Sequence, residues 1–186
     1  HHILAFVMEA IRSTISNLAA LVTSASAPPL NPSLCMFSIN IIISAVKRAP
    51  VMQLQQLAAV TVLPLLSSIS SSRMRSAQNP MLLTVLSGVI QLLFTVAYHL
   101  KSNTAPYLND LLSLSVDAVG HADHAIKMNG LKLLGSVLSG MGETSNPIEE
   151  TTLVQLVQLL QSVANIDPTP EARQLAEKYL VSLGCN

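Results

Sequence analysis

The sequence predicts an all-α fold, a right-handed superhelical array (an α-α solenoid) of about four antiparallel helical hairpins. Hydrophobic residues make up 50% of the 186 residues and aromatic residues only 3%, so the core must consist of Leu, Val, Ile, Ala and Met, which suit closely packed helices. Four helix-start signals, in which a short polar residue usually precedes Pro, recur at spacings of 48, 44 and 46 residues. They stand at Asn31-Pro32, Asn79-Pro80, Asp123-His124 and Thr169-Pro170.

The recurrence indicates repeats, because a period of roughly 40 to 47 residues is typical of stacked helical hairpins. The predicted hairpins cover residues 3–48, 50–101, 105–140 and 146–184 within one domain, 1–186. Only 11% of the residues are charged, so part of the helix surface is expected to be covered by other protein. We therefore expect this segment to belong to a longer chain.

The first two hairpins are each predicted from apolar stretches separated by helix breakers. In the first, a helix over 3–22 leads through a loop at Pro28 to a second helix that begins at Pro32. In the second, a helix over 52–69 is expected to kink at Pro64. The Ser-rich linker 70–76 then leads to a second helix from Pro80 to about residue 100.

The third hairpin begins near Pro106, with apolar residues at helical spacing up to Gly120. Its second helix follows Asp123 and is apolar over most of its circumference, which predicts burial between neighbouring helices. Gly130 and Gly135 would allow those neighbours to approach closely.

The fourth hairpin carries the clearest helix-end signals. Asn146 and Glu149 are spaced like a capping box, and Thr169 precedes Pro170 as the cap of the last helix. We predict that Leu175 and Leu180 of that helix are buried against the preceding helix. The apolar stripe of the preceding helix consists of Leu153, Leu156, Val157, Leu160, Val163 and Ala164, and Leu156 and Leu160 are the predicted contacts.

Two of the four turns resemble the HEAT repeat pattern, in which an Asp in the turn precedes an aliphatic or small residue followed by a base early in the second helix. Asp123 with Ile126-Lys127 matches this pattern, and Asp167 with Ala172-Arg173 matches it more loosely. The first two hairpins depart from it, since Asn31 and Asn79 have no following base. The resemblance to the HEAT and armadillo type of helical repeat implies a ladder of Asp and basic side chains between neighbouring repeats, and a noncatalytic scaffold.

Charge is distributed unevenly although the net charge is zero. Residues 1–101 carry six Lys or Arg and one acid, a charge of +5, while residues 102–186 carry four bases and nine acids, a charge of −5. This pattern fits either simple solvation or docking of an acidic partner, with the loop bases Arg73 and Arg75 most accessible. The candidate partner-binding residues are Lys47, Arg48, Arg73, Arg75, Lys132, Gln174 and Lys178.

Sequence motifs for catalysis and cofactor binding are absent, because the chain contains no GxSxG, GxGxxG, P-loop or HExxH pattern. We therefore predict no enzyme activity and no cofactor. His121, Asp123 and His124 form one compact cluster of possible metal ligands, but a capped turn explains them better. Cys35 and Cys185 lie far apart and outside any CxxC pair, which predicts reduced thiols in the cytoplasm or another reducing compartment.

The predicted function is a protein–protein interaction scaffold or adaptor within a larger complex. Nucleic acid is disfavoured as a partner. The candidate basic edge consists of four side chains, Lys47, Arg48, Arg73 and Arg75, and without interleaved aromatic residues these would bind phosphate groups only modestly. The alternative is a helical protein that binds lipid or membrane, because the uncharged stretch 81–98 is just long enough to cross a bilayer. Thr84 and Gln91 interrupt that stretch, so burial in a helical core explains it more simply.

Overall fold

The computed structural model describes residues 32–56, 80–141 and 148–185 of the chain, and within these ranges every regular element is helical. A helical stretch at 51–56 and a 3-10 helix over Lys101–Tyr107 accompany the longer helices. The α-helices are α1 (Pro32–Arg48), α2 (Pro80–Leu100), α3 (Leu108–Val119), α4 (His124–Met141), α5 (Glu150–Ile166) and α6 (Pro170–Ser182). The all-α prediction is confirmed for the described residues.

The predicted starts of the second helix in each hairpin are also confirmed. We call these four helices, α1, α2, α4 and α6, the B helices, and they begin at residues 32, 80, 124 and 170. Local chemistry explains the start of α4, where the Asp123 carboxylate Oδ1 accepts a hydrogen bond from the Ile126 backbone N–H at 3.0 Å. The imidazole Nδ1 of His121 accepts the Asp123 backbone N–H at 2.9 Å, so the whole turn is fixed by its own side chains.

Two predicted caps are wrong in detail. Thr169 precedes α6 and Pro170 is its first residue, but the Thr169 side chain makes no capping hydrogen bond. Asp167 replaces it in ordering the turn, since its carboxylate accepts the Thr169 backbone N–H at 2.9 Å. The capping box also fails, because Glu149 itself is the residue before α5 and makes no side-chain cap. Asn146 lies outside the described residues.

The B helices contact one another in chain order, α1 with α2, α2 with α4 and α4 with α6. The first helices of the last two hairpins, α3 and α5, pack against α4 and α6 respectively and against each other. In the last two hairpins the helices therefore pack in two layers, with α3 and α5 against α4 and α6. The largest fully buried side chains are Ile39, Leu54, Leu86, Ile90, Leu92, Leu93, Leu100, Leu112 and Ile126. The right-handed superhelix remains a prediction.

Glycines mark two of the closest helix contacts. A Cβ on Gly130 of α4 would lie 2.7 Å from the Cβ of Ala118 and 3.0 Å from the backbone N of Val119 in α3, which confirms the predicted close approach. A Cβ on Gly88 of α2 would lie 2.9 Å from the Met36 sulfur of α1. A larger side chain at Gly130 would push α3 and α4 apart, because it would meet backbone, whereas one at Gly88 would displace the end of the Met36 side chain.

The link between the second and third hairpins is more regular than predicted. The chain leaves α2 through Lys101, which has a φ of 50°, and continues as a 3-10 helix that contains Pro106. The third hairpin therefore starts its α-helix at Leu108 rather than near residue 106. Gly140 of α4 lies against this turn, where a Cβ would come within 2.5 Å of the Lys101 carbonyl oxygen.

The predicted burial of α6 is wrong at two positions. Leu175 and Leu180 are only partly buried at the edge of the core, whereas Ala172 and Ala176 are fully enclosed and Tyr179 is 7% exposed. The two alanines let α6 lie close to its neighbours, and this turns the centre of its contact face toward Tyr179 and away from the leucines. Leu156 and Leu160 of α5 are fully buried as predicted.

Several predictions lie outside the described residues. They are the helix over 3–22, the loop at Pro28, the helix over 52–69 beyond residue 56 with its kink at Pro64, and the linker 70–76.

Candidate binding cleft

A cleft of about 530 Å³ opens on the surface of three successive B helices, α2, α4 and α6. Its walls come from all three helices because each contacts the next, so the cleft runs across the boundaries between repeats. We call this feature the B-helix cleft, and its lining residues are Phe94, Tyr98, Lys132, Gly135, Ser136, Leu138, Ser139, Lys178, Tyr179 and Ser182.

The floor of the B-helix cleft is set by Gly135 and Tyr179. A Cβ on Gly135 would overlap the hydroxyl oxygen of Tyr179 and would lie 2.8 Å from its ring carbon Cζ. With glycine at 135, the tyrosine side chain can therefore occupy its observed position against α4. Burial raises the pKa of the Tyr179 phenol, so the floor stays uncharged at neutral pH.

The rim carries two lysines at equivalent positions of neighbouring repeats. Lys132 is the ninth residue of α4 and Lys178 the ninth of α6, and both side chains are exposed. The two helices are in contact, so the side chains start from backbones ~10 Å apart. Among the described residues that line the cleft, Lys132 and Lys178 are the only charged ones, so this part of its rim is positive.

Aromatic side chains form the wall contributed by α2. Phe94 is partly buried against the core, while the next turn places Tyr98 63% exposed at the mouth. The Tyr98 ring meets the His99 ring edge-on, with centroids 5.4 Å apart. An exposed tyrosine beside a lysine rim offers an apolar face and a hydroxyl to a ligand.

Two of the three serines that line the cleft, Ser136 and Ser182, already donate a hydrogen bond within their own helix, and this decides what they can offer a ligand. The Ser136 hydroxyl donates to the Lys132 carbonyl oxygen at 3.1 Å, and the Ser182 hydroxyl donates to the Lys178 carbonyl oxygen at 3.0 Å. Because their protons are used within the helices, these two hydroxyls are left as acceptors. The cleft thus combines ammonium donors, hydroxyl acceptors and apolar surface.

A partly buried ion pair joins α4 to the turn before α6. The Lys127 ammonium lies 2.7 Å from Oδ2 of Asp167, whose side chain is 4% exposed. The Arg173 guanidinium donates to the Asp167 backbone carbonyl at 2.6 Å. This contact joins the base of the third hairpin to the turn Asp of the fourth, as the predicted ladder requires. It therefore fixes the helices that carry Lys132 and Lys178.

The structure separates the sequence-predicted partner residues into groups. Lys132 and Lys178 come together at the rim of the B-helix cleft. Gln174 is exposed one turn before Lys178 but does not line the cleft. Lys47 and Arg48 are in the last turn of α1 and do not line the cleft. Arg73 and Arg75 lie outside the described residues.

Sequence reasoning missed the aromatic part of the cleft, Phe94, Tyr98 and Tyr179. Each of these residues fits an apolar helix face, so nothing in its local sequence marks it as part of a surface. The sequence did contain a signal for the location of the cleft, although not for its aromatic residues. Lys132 and Lys178 are 46 residues apart, the same offset as Asp123 and Thr169. Equal offsets place two residues at the same point of successive repeats.

Neither a metal cluster nor a clear membrane segment emerges from the described ranges. These residues contain no group of three His, Cys, Asp or Glu side chains that could hold a metal ion. One helical run within those ranges, Leu83–Val119, is apolar and long enough to span a bilayer by composition. Of its most apolar window 61% is buried inside the fold, as in the core helix of a soluble protein, so it is weak evidence for a membrane.

Comparison with known proteins adds no relative. No family model, curated protein or solved structure matches the chain. The residues of the cleft and the contacts around it are therefore the basis for a function.

Proposed function

We propose that this chain is a noncatalytic scaffold of HEAT-like repeats that binds a partner protein within a larger complex, and that the B-helix cleft is its contact surface. The observation that carries the proposal is the cleft itself, which three successive B helices build together. Surfaces of this kind, shared between neighbouring repeats, are the usual binding surfaces of helical repeat proteins.

The links between the B helices support a preorganised surface. The Asn129 amide of α4 donates to both the backbone carbonyl and the hydroxyl of Ser87 in α2, each at 2.9 Å. On the other side of α4, the Lys127–Asp167 pair joins it to the turn before α6. A partner that binds to the cleft would not have to order these helices first, which lowers the entropic cost of association.

The groups that line the cleft are suited to recognition. Lysine ammoniums, tyrosine and serine hydroxyls and partly buried apolar side chains provide orientation and contact area. We also propose a reducing compartment, because the cysteine pattern gives no disulfide framework and Cys185 is a free thiol.

Site-specific crosslinking tests the proposal. In a chain with Cys35 and Cys185 changed to Ser, Ser139→Cys places one thiol at the cleft rim for a photoactivated crosslinker. We expect this variant to crosslink specifically to one or a few proteins from a cell extract, and the same proteins to form a stoichiometric complex with the purified chain. Ser162→Cys, exposed on α5 outside the cleft, is the matched control and should give no such product.

The same preparation tests the lipid-binding alternative. A scaffold should purify as a monodisperse protein without detergent and should carry no lipid into an organic extract. Stoichiometric bound lipid, together with equal crosslinking from residues 139 and 162, would contradict the proposal.

A further inference from the structure

We propose that the B-helix cleft binds an acidic peptide segment of a partner protein, with carboxylates at Lys132 and Lys178 and an apolar side chain against Phe94 and Leu138. This inference rests on the proposed scaffold function and specifies the chemistry of the partner. It follows from the charge, the hydrogen-bonding groups and the size of the cleft.

Charge complementarity gives the first argument. Lys132 and Lys178 are exposed, and neither ammonium has an acidic partner among the described residues. The sequences of α2 and α4 contain no Asp or Glu, so these two walls offer the lysines no internal counter-charge. Side chains that start ~10 Å apart match two carboxylates about three residues apart in an extended chain, since each residue advances the chain by ~3.3 Å.

Hydrogen bonding favours a peptide over a simple anion or a fatty acid. Ser136 and Ser182 use their protons within their own helices and are left as acceptors. A peptide backbone supplies N–H donors to such acceptors and carboxylate side chains to the lysines. A fatty acid carboxylate at neutral pH has no donor for these acceptors, and inorganic phosphate has no apolar part for Phe94 and Leu138, so neither matches all three kinds of group in the cleft.

The apolar part of the cleft gives the third argument, which concerns the apolar side chain of the peptide. Phe94 and Leu138 are only partly buried, so each leaves some apolar surface in the cleft that a side chain of a ligand could cover. The volume of about 530 Å³ lies in the ordinary range of ligand pockets, ~300 to 1,000 Å³. It suits a few side chains of an extended segment.

Peptide selection on the full chain tests this inference. A phage-displayed library of random peptides of about twelve residues is selected on the wild-type protein. We expect enrichment of peptides with two Asp or Glu residues near a Leu, Ile or Phe. The strongest is then synthesised with a fluorescein label, and its affinity is measured by fluorescence anisotropy at several salt concentrations.

The variant Lys132→Gln/Lys178→Gln should weaken binding of that peptide about tenfold and reduce its salt dependence, because it removes two exposed charge pairs. Lys47→Gln/Arg48→Gln makes the same change in net charge in the last turn of α1, outside the cleft, and should leave the affinity unchanged. Replacing Glu by Gln in the peptide should reproduce the loss. Circular dichroism and thermal unfolding confirm that each variant is folded.

Three results would overturn the inference. The first is selection of peptides without acidic residues, and the second is an equal loss of affinity in the two double variants. The third is binding of phosphatidylserine vesicles, or of a second copy of the chain, that depends on Lys132 and Lys178 and is not displaced by the acidic peptide. If the partner found by crosslinking still binds the Lys132→Gln/Lys178→Gln variant, the inference fails while the scaffold proposal stands. If residue 139 crosslinks to no protein, the scaffold proposal itself fails.

Discussion

Asp167 makes contacts with three elements of the last two hairpins. Its carboxylate binds the Lys127 ammonium and the Thr169 backbone N–H, and its own carbonyl accepts a hydrogen bond from Arg173. Burial alone raises the pKa of this carboxyl group, but the hydrogen bonds from Lys127 and Thr169 and the positive charge of Lys127 together bring it below its ordinary value. Ionised Asp167 is therefore part of the folded state.

The lowered pKa predicts how stability depends on pH. A carboxyl group with a lower pKa in the folded chain stabilises the fold fully above its unfolded value of about 4, and this contribution is lost as the pH falls through the folded value. We expect Asp167→Asn to cost about 1 to 3 kcal/mol at pH 7 and progressively less below about pH 4. Urea unfolding across this pH range measures the difference.

The exposed Asp110 in the first turn of α3 gives the control for that measurement. Asp110→Asn also removes one carboxylate, but from a site without an ion pair in the described structure, so its effect at pH 7 should be at most about 1 kcal/mol. Equal stability losses from the two substitutions at every pH would show that the Lys127–Asp167 pair does not stabilise the fold.

The contact between Gly135 and Tyr179 predicts that the stability effects of substitutions at these two positions depend on each other for steric reasons. In Gly135→Ala the new methyl group would occupy the position next to the Tyr179 hydroxyl, so the buried ring must move, at a cost of about 1 to 3 kcal/mol that the gain in helix propensity offsets only in part. Tyr179→Phe removes the nearest atom. The Gly135→Ala substitution should therefore cost less in a chain that already carries Tyr179→Phe than in the wild type. Equal costs in both backgrounds, measured by denaturant unfolding, would contradict the predicted contact.

At the scale of the helix, the position of α6 decides which of its apolar residues matter. Ala172 and Ala176 are fully buried, Leu180 is partly buried, and Leu160 on the facing helix α5 is fully enclosed. Burial of the leucines of α6 was expected from their spacing alone. The spacing defines a stripe, but the neighbouring helices decide which residue lies at its centre.

This arrangement predicts unequal costs for two leucine truncations. Leu160→Ala removes a fully buried side chain and should destabilise the fold by about 2 to 5 kcal/mol, because it also leaves a cavity. Leu180→Ala removes a partly buried side chain and should cost about 1 kcal/mol. Val181→Ala, at a position 65% exposed, should fall within about 0.5 kcal/mol of the wild type in the same denaturant titration. A larger loss from Leu180→Ala than from Leu160→Ala would mean that α6 lies in a different orientation.

The helix starts were predictable from the sequence for a physical reason. A polar cap followed by Pro acts within a few residues, so the starts at 32, 80, 124 and 170 depend on local chemistry alone. The contact between Lys127 and Asp167 was expected only from the resemblance of two turns to a known repeat pattern, because the two residues are far apart in sequence. The cleft was only half predictable, because Phe94, Tyr98 and Tyr179 come together through the packing of three helices.

Across the whole molecule, each B helix is joined to the next by a distinct contact. Gly88 lies against Met36 between α1 and α2, the Asn129 amide binds Ser87 between α2 and α4, and Gly135 lies against Tyr179 between α4 and α6. Contacts in chain order are what a repeat array predicts, since each repeat is then stabilised mainly by its immediate neighbours. A single cooperative core would instead transmit any loss of packing to every helix.

Native-state hydrogen exchange separates these two descriptions. Ile39→Ala in α1 and Leu160→Ala in α5 each remove a fully buried side chain, but from hairpins at opposite ends of the described contacts. In a repeat array, Ile39→Ala should lower amide protection most in α1 and α2 and least in α6, whereas Leu160→Ala should lower it most in α5 and α6 and least in α1. Equal loss of protection in all helices from either substitution would contradict the array.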